Sequence, residues 1–163
     1  MSSDHKEIVQ RGYDVVSERY RADDEVPAEY EDWLRALTGR LPAHADVLDL
    51  GCGCGVPMAR RLTDLGHRVL GADTSRVQVN RARRLVPGAR FIQADASALR
   101  FDPASFDGIV CLFVLIHLPQ HEQEELVERF RTWLRPEGVL IATVGARAWT
   151  GEDGDWLGGG TRM

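Results

Sequence analysis

The spacing of apolar and polar positions changes character along the chain. Between Asp4 and Tyr20 the apolar positions Ile8, Val15 and Val16 are only partly periodic, with Tyr13 and Tyr20 nearby, and they predict a first helix. The polar stretch Arg21 to Val26 separates it from a second helix. There Tyr30, Trp33, Leu34, Leu37 and Leu41 recur at three- and four-residue steps, and Pro27 suits the first turn. From Asp46 onward the pattern alternates. A short apolar strand, Val47 to Leu50, meets a glycine-rich loop. A helix follows, with Val56, Met58, Ala59, Leu62 and Leu65 inward and Gly66 as its stop. A second strand, Arg68 to Ala72, ends at Asp73. Thr74 or Ser75 caps the next helix, which closes at Pro87-Gly88. A third strand, Arg90 to Ala94, ends at Asp95. The fourth, Gly108 to Phe113, is apolar on both faces, as in a buried parallel sheet. A helix from Gln120 to Leu134 carries Leu126, Phe130 and Trp133 on one side. Pro136-Glu137-Gly138 then turns into a fifth strand, Val139 to Val144. Residues 146–163 form a glycine-rich tail, with Trp149 and Trp156 in it. Alternation of this kind predicts an α/β fold with a doubly wound, mostly parallel sheet.

Composition narrows the reading. A chain of 163 residues fits one domain with a sizeable core, and 44% apolar with 28% charged residues is globular rather than disordered. The net charge is -5, and no basic block is long enough to track a nucleic-acid backbone. The densest basic stretch, Arg81, Arg83 and Arg84, reads as the solvated face of a helix. Lys6 is the sole lysine and reads as coding bias without a function. No apolar run approaches the length of a membrane span, and the polar start lacks a signal-peptide core. Three cysteines do not suggest a disulfide framework, so the cytoplasm is the expected compartment. Cys52 and Cys54 supply two thiolates, but no nearby His or Cys completes a metal set, and no metal is expected. Cys111 reads as a small core residue.

The chemistry concentrates in the loop Asp49-x-Gly51-x-Gly53-x-Gly55. A dinucleotide fingerprint needs G-x-G-x-x-G, and here its third glycine position is Val56, which argues against a nicotinamide cofactor. The loop instead resembles that of class I S-adenosylmethionine-dependent methyltransferases, in their small-molecule branch. The likeness extends from about Tyr13 to the last residues. It is carried by "YDVVSERY", "VLDLGCGCG", "GADTS", "QADASAL", "FDGIVCLFVLIHLP" and "LRPEGVLI", in that order and each at the expected place.

This resemblance implies a Rossmann-like core over 46–145, a helical lid over 1–45, and S-adenosyl-L-methionine as the cofactor. In the loop of Gly51, Cys52, Gly53 and Gly55, backbone amides would meet the carboxylate of the methionine end. Asp49 would face its ammonium group. Asp73 stands 18 residues beyond Gly55, a spacing that itself suits a ribose-binding acid. Thr74 would lie beside that ribose, and Asp95 with Ala96 would meet the adenine. Cys111 and Leu112 would reach the sulfonium, and Tyr13 with Tyr20 would form the aromatic pair of the lid. Plainer roles stay open: Asp49 as a turn cap, Asp73 and Asp95 as helix caps, the tyrosines as ordinary packing. His117 is the one candidate catalytic residue, as a proton acceptor; its plainer role is to pack against the loop and orient it.

Members of that family continue past the fifth strand with a helix and two antiparallel strands, so the last two strands of the sheet are expected to be missing here. The fifth strand would then be an exposed apolar edge that favours pairing with a second chain. The function implied is methyl transfer to an oxygen, nitrogen or carbon of a small-molecule acceptor, with no nucleic acid or membrane as partner. The alternative is a non-catalytic or truncated cofactor-binding module acting through a partner.

Overall fold

The computed structural model describes residues 3–145; the expected tail, with Trp149 and Trp156, lies outside the described residues. Two helices lead, α1 (Ser3–Tyr20) and α2 (Ala28–Thr38). Then follow β1 (Asp46–Leu50), α3 (Met58–Asp64), β2 (Arg68–Asp73), α4 (Arg76–Leu85), β3 (Arg90–Gln93), β4 (Phe106–Cys111), α5 (Gln120–Trp133) and β5 (Leu134–Ala142). Single 3-10 turns lie at Ala96–Ala98 and Leu115–His117. The strands stand in the order β3-β2-β1-β4-β5, and each neighbouring pair is parallel. This is the doubly wound sheet that the alternation predicts.

Period-two alternation sorts the strand residues between two cores. Val47 of β1 joins Tyr30, Leu34 and Leu37 of α2, Met58, Ala59 and Leu62 of α3, and Val79 and Ala82 of α4. Leu48 and Leu50 point the other way, onto Leu126, Phe130 and Trp133 of α5. Phe101 stands edge-on to both Phe106 and Trp133 there, with centroids 5.0 Å apart in each case. The chain winds from β1 out to β3 and then returns to set β4 on the other side of β1. The crossovers therefore diverge between β1 and β4, and a crevice opens beyond their carboxyl ends.

Several boundaries differ from the sequence reading. In α1 the buried apolar residues are Val9 and Val16, while Val15 is 54% exposed. Leu65 is 58% exposed rather than inward, because α3 ends at Asp64 and Gly66, at φ +86°, turns the chain away. β4 stops at Cys111, so Leu112 and Phe113 lie past the strand, with Phe113 in the left-handed region at φ +59°. β5 begins at Leu134 and ends at Ala142. It absorbs the Pro136-Gly138 turn as a bulge, since Phe106 pairs with Leu134 and Gly108 with Val139. Among the described residues no strand covers the outer edge of β5.

Arg81 corrects the solvated-face reading of the basic stretch: it is 6% exposed. Its Nη1 donates to the Ser17 carbonyl and hydroxyl, and its Nη2 to the Arg21 carbonyl at 2.8 Å and to Asp23 Oδ1 at 2.6 Å. The fork thereby ties the Ser17 carbonyl, which also accepts the Arg21 amide at 3.4 Å, and the Arg21 carbonyl just past the helix end. We expect Arg81→Met to cost about 2 kcal/mol in urea unfolding, because it removes these buried charge-assisted bonds. Arg84→Met, at a 66% exposed side chain, should stay within about 0.5 kcal/mol.

Candidate functional site

After Leu50 the chain must fold back under the sheet to start α3. Gly51, Gly53 and Gly55 make that reversal with φ of +73°, +53° and +79°. They are bare for different reasons. A Cβ on Gly51 would lie 2.1 Å from Val114 Cγ2, and one on Gly55 would press on Val86, Phe91 and Ala82 at 3.1 to 3.4 Å. A Cβ on Gly53 would meet only Gln78 Nε2, at 4.0 Å. Gly51 and Gly55 thus serve packing, and Gly53 presents bare backbone to open space.

The loop amides are already engaged. Those of Gly51 and Cys52 donate to the Ala72 carbonyl at 2.7 and 3.1 Å, and that of Gly55 to the Cys52 carbonyl at 2.9 Å. The Gly53 amide donates to Asp73 Oδ2 at 2.9 Å. The amides expected to meet a ligand carboxylate are bonded within the protein in this structure. The end of β2, level with the loop in parallel register, takes those of Gly51, Cys52 and Gly53, while that of Gly55 closes the turn on itself.

A cleft of about 760 Å³ opens here. It is lined by Tyr13, Tyr20, Gly51, Gly53, Asp73, Thr74, Asp95, Ala96, Leu112 and His117 among the expected site residues. A second compartment of about 420 Å³ shares Tyr20, Gly51, Gly53, Leu112 and Phe113 with it, and adds Asp49 and Cys52. Gly55 and Cys111 line neither. Cys111 points into the core beneath α5, and burial pushes its thiol up to about 12. Burial raises the Cys52 thiol as well, then the charges of Asp73 and Asp49, so it is no nucleophile. Among the described residues no three His, Cys, Asp or Glu side chains gather as a metal set.

Sequence reasoning missed Lys6, Val9, Arg21, Tyr30 and Phe113, all of which line the cleft or its side compartment. For α1 a signal exists: Lys6, Val9, Tyr13, Val16 and Tyr20 follow one another at steps of three and four, a single helical stripe. Of the two helices expected to form a lid, α1 carries this stripe along the cleft, whereas α2 packs into the core and reaches the side compartment through Tyr30.

The acids of the site differ sharply. Asp49 is 3% exposed, and its Oδ2 has no hydrogen-bond partner. Burial, and then the charge of Asp73, push it up to about 7. Asp73 is pushed up to about 6 by burial, against the amides of Ser75 and Gly53 that bond its two oxygens. The cap of α4 is Ser75, whose Oγ accepts the Gln78 amide at 3.1 Å. Asp95 Oδ1 caps the Ala96–Ala98 turn through the Ser97 amide, and its Oδ2 pairs with Lys6 Nζ at 3.0 Å. Burial raises Asp95, but Lys6 and Ser97 outweigh it and hold the carboxyl below its usual range. Lys6 also reaches Ser97 Oγ at 2.6 Å and Glu122 Oε2 at 2.5 Å.

His117 lines the cleft, yet its Nε2 stands 3.1 Å from the Tyr13 hydroxyl. Burial, with His5 nearby, pushes it down to about 4. It is a neutral imidazole tied to α1 and a weak proton acceptor, which supports its plainer, orienting role. Tyr13 and Tyr20 stand edge to face, 5.1 Å apart.

Residues 47–138 match the methyltransferase domain model. The chain is 30% identical over 124 residues to a putative methyltransferase, YqeM, of Bacillus subtilis, covering 72% of this chain and 49% of that protein. It is 33% identical over 140 residues to the malonyl-[acyl-carrier protein] O-methyltransferase of Enterobacter lignolyticus, covering 85% and 53%. The chain thus spans about half the length of the curated relatives it matches. Among solved structures it resembles the magnesium protoporphyrin IX methyltransferase of Synechocystis with bound S-adenosylmethionine. That likeness has a TM-score of 0.63 at 25% identity, over 82% of this chain and 73% of that one.

Asp49 generates a stability prediction whose sign is fixed. A carboxyl whose folded-state pKa is raised binds its proton more tightly when folded, so stability is lost as pH rises from about 4 through about 7. Asp49→Asn removes that loss. In urea unfolding of the ligand-free chain, the variant should gain about 2–4 kcal/mol on wild type between pH 4 and pH 8. An advantage that does not grow with pH would show Asp49 to be ionised without penalty.

Proposed function

We propose, from the premise that this chain belongs to the class I S-adenosylmethionine-dependent methyltransferase family, that it binds S-adenosylmethionine in this cleft and methylates a small molecule in the cytoplasm. The observation that carries the reading is Asp49, whose orphaned, buried oxygen faces a compartment beside the glycine loop. A buried carboxylate without a partner is costly, and an ammonium group relieves it. The bare face of Gly53 leaves room for close approach beside it.

When bound, the cofactor supplies an electrophilic methyl on a cationic sulfur. Asp73 keeps a free lone pair on each oxygen after its two backbone bonds and can take the two ribose hydroxyls. Asp95, held ionised by Lys6, suits an exocyclic amine at the far end, with Thr74 and Ala96 alongside. The Tyr13 and Tyr20 rings offer electron-rich faces for a cation. Leu112, Phe113 and Val114 form an apolar wall that keeps water away. Methyl transfer needs chiefly in-line placement of the acceptor, so no proton acceptor is assigned to His117. The acceptor's oxygen, nitrogen or carbon approaches from the side left by the cofactor. The outer edge of β5, uncovered among the described residues, supports pairing with a second copy through backbone hydrogen bonds.

Calorimetry tests the reading directly. S-adenosylhomocysteine should bind, and affinity should fall as pH drops below about 7, since Asp49 must lose its proton to meet the ammonium. Asp73→Ala should weaken binding by about 10- to 100-fold. Gly53→Ala should remain folded and bind poorly. No uptake by folded wild-type chain would overturn the reading. Binding without turnover of labelled cofactor on a metabolite panel would instead favour a non-catalytic module.

A further inference from the structure

Phe113 stands on a left-handed backbone, at φ +59°, in the turn that follows β4. A bulky side chain avoids that region, and where one persists its surroundings hold it there. His44, Ala104 and Glu137 share the conformation, but none of them lines the cleft or its side compartment. Phe113 lines both. Its hold comes from the neighbouring strand. The Phe113 amide donates to Thr143 Oγ1 at 2.6 Å, and the Thr143 amide donates to the Cys111 carbonyl at 3.1 Å. Thr143, the first residue past β5, thus brackets the turn from the last residue of β4 to Phe113. The Phe113 ring is braced by Trp33 of α2, with centroids 6.0 Å apart and planes tilted by 59°.

The place held in this way is where the two compartments meet. Tyr20, Gly51, Gly53, Leu112 and Phe113 are common to both. With the ribose at Asp73 and the ammonium at Asp49, the cofactor's sulfur falls between those ends, beside these shared residues. The two glycines bring no side chain there, whereas Tyr20 and Phe113 bring rings. We propose that Phe113 offers its ring to the sulfonium, and that Thr143 is the residue that positions it, through the hydroxyl that fixes the turn. The inference rests on the function proposed above. Thr143 lines neither compartment and lies outside the matched stretch 47–138, so neither ligand contact nor the domain match assigns it. A ring face attracts a cation, and the sulfur left after transfer carries no charge. The pair thereby favours the methylated cofactor over its product and eases the product's release.

Calorimetry with S-adenosylmethionine and S-adenosylhomocysteine reads the ratio of the two affinities, which a merely structural role would leave alone. Phe113→Leu keeps an apolar side chain and should shift that ratio toward S-adenosylhomocysteine by about 3- to 10-fold. Thr143→Val keeps the shape and removes the acceptor, and should shift it in the same direction by at least about threefold. Thr143→Ser keeps the hydroxyl and should stay within about twofold of wild type. An unchanged ratio in Phe113→Leu would overturn the inference. So would a Thr143→Val variant that weakens both ligands equally, or neither, since Thr143 would then support the fold alone. Should Thr143→Val fail to fold, Thr143→Ala replaces it under the same criteria, and Phe113→Leu decides independently. Absence of binding of either ligand by folded wild type would sink the proposed function itself. Binding of both with a ratio that no variant moves would sink this inference and leave that function standing.

Discussion

The hydrogen bond from the Gly53 amide to Asp73 organises everything around it. It joins the turn after β1 to the end of β2, two places that the parallel register brings level, with Leu50 opposite Ala72. The turn closes only with three left-handed residues, hence the glycines. The same bond fixes one oxygen of Asp73 while the Ser75 amide fixes the other. The carboxylate is thereby oriented before any ligand arrives. Its position in the cleft follows from sheet geometry rather than from loop flexibility.

Over this rigid floor α1 is fastened mainly by polar groups. Asp14 accepts from Ser75 Oγ and the Val77 amide, Ser17 donates to Gln78, and Arg81 clamps the helix end. Lys6 and Tyr13 tie the other turns to Asp95 and His117. Only Val9 and Val16 add fully buried apolar surface. Such an interface is directional: each bond demands one placement of the helix, where greasy packing would tolerate sliding. Buried polar contacts also lose strength when solvent enters, so the hold on α1 depends on keeping this interface dry.

The sheet was legible in the sequence because strand and helix periods are local signals. Val47 to Leu50 and Gly108 to Phe113 read as buried strands from a handful of neighbours, although the fourth strand ends at Cys111. The glycine loop and Asp73 were legible because a tight turn demands a residue type at a fixed spacing. What local patterns do not encode is the partner of a polar group across the fold. Arg81 looks like any helical arginine until Ser17 and Arg21 appear 64 and 60 positions away. Loop amides expected to be free are bonded to β2 because register, a long-range property, brings Ala72 beside them. Gly55 and Cys111 carried the right residue types at the right places, yet one packs and the other faces the opposite core. His117 was placed correctly in the cleft. Its proton affinity depends on Tyr13, His5 and burial, none of which its neighbours in sequence reveal.

The sole lysine has a practical corollary. Lys6 is enclosed by Asp95, Ser97 and Glu122 at the rim of the cleft. Burial works against its ammonium, yet the bonds to Glu122 and Asp95 prevail and keep it protonated. Amine-directed reagents therefore find a single lysine side chain in these 163 residues, and one shielded by the very acids that anchor α1. Isotopic reductive methylation would install one resonance there and make this helix a built-in spectroscopic gauge of how firmly the cover sits.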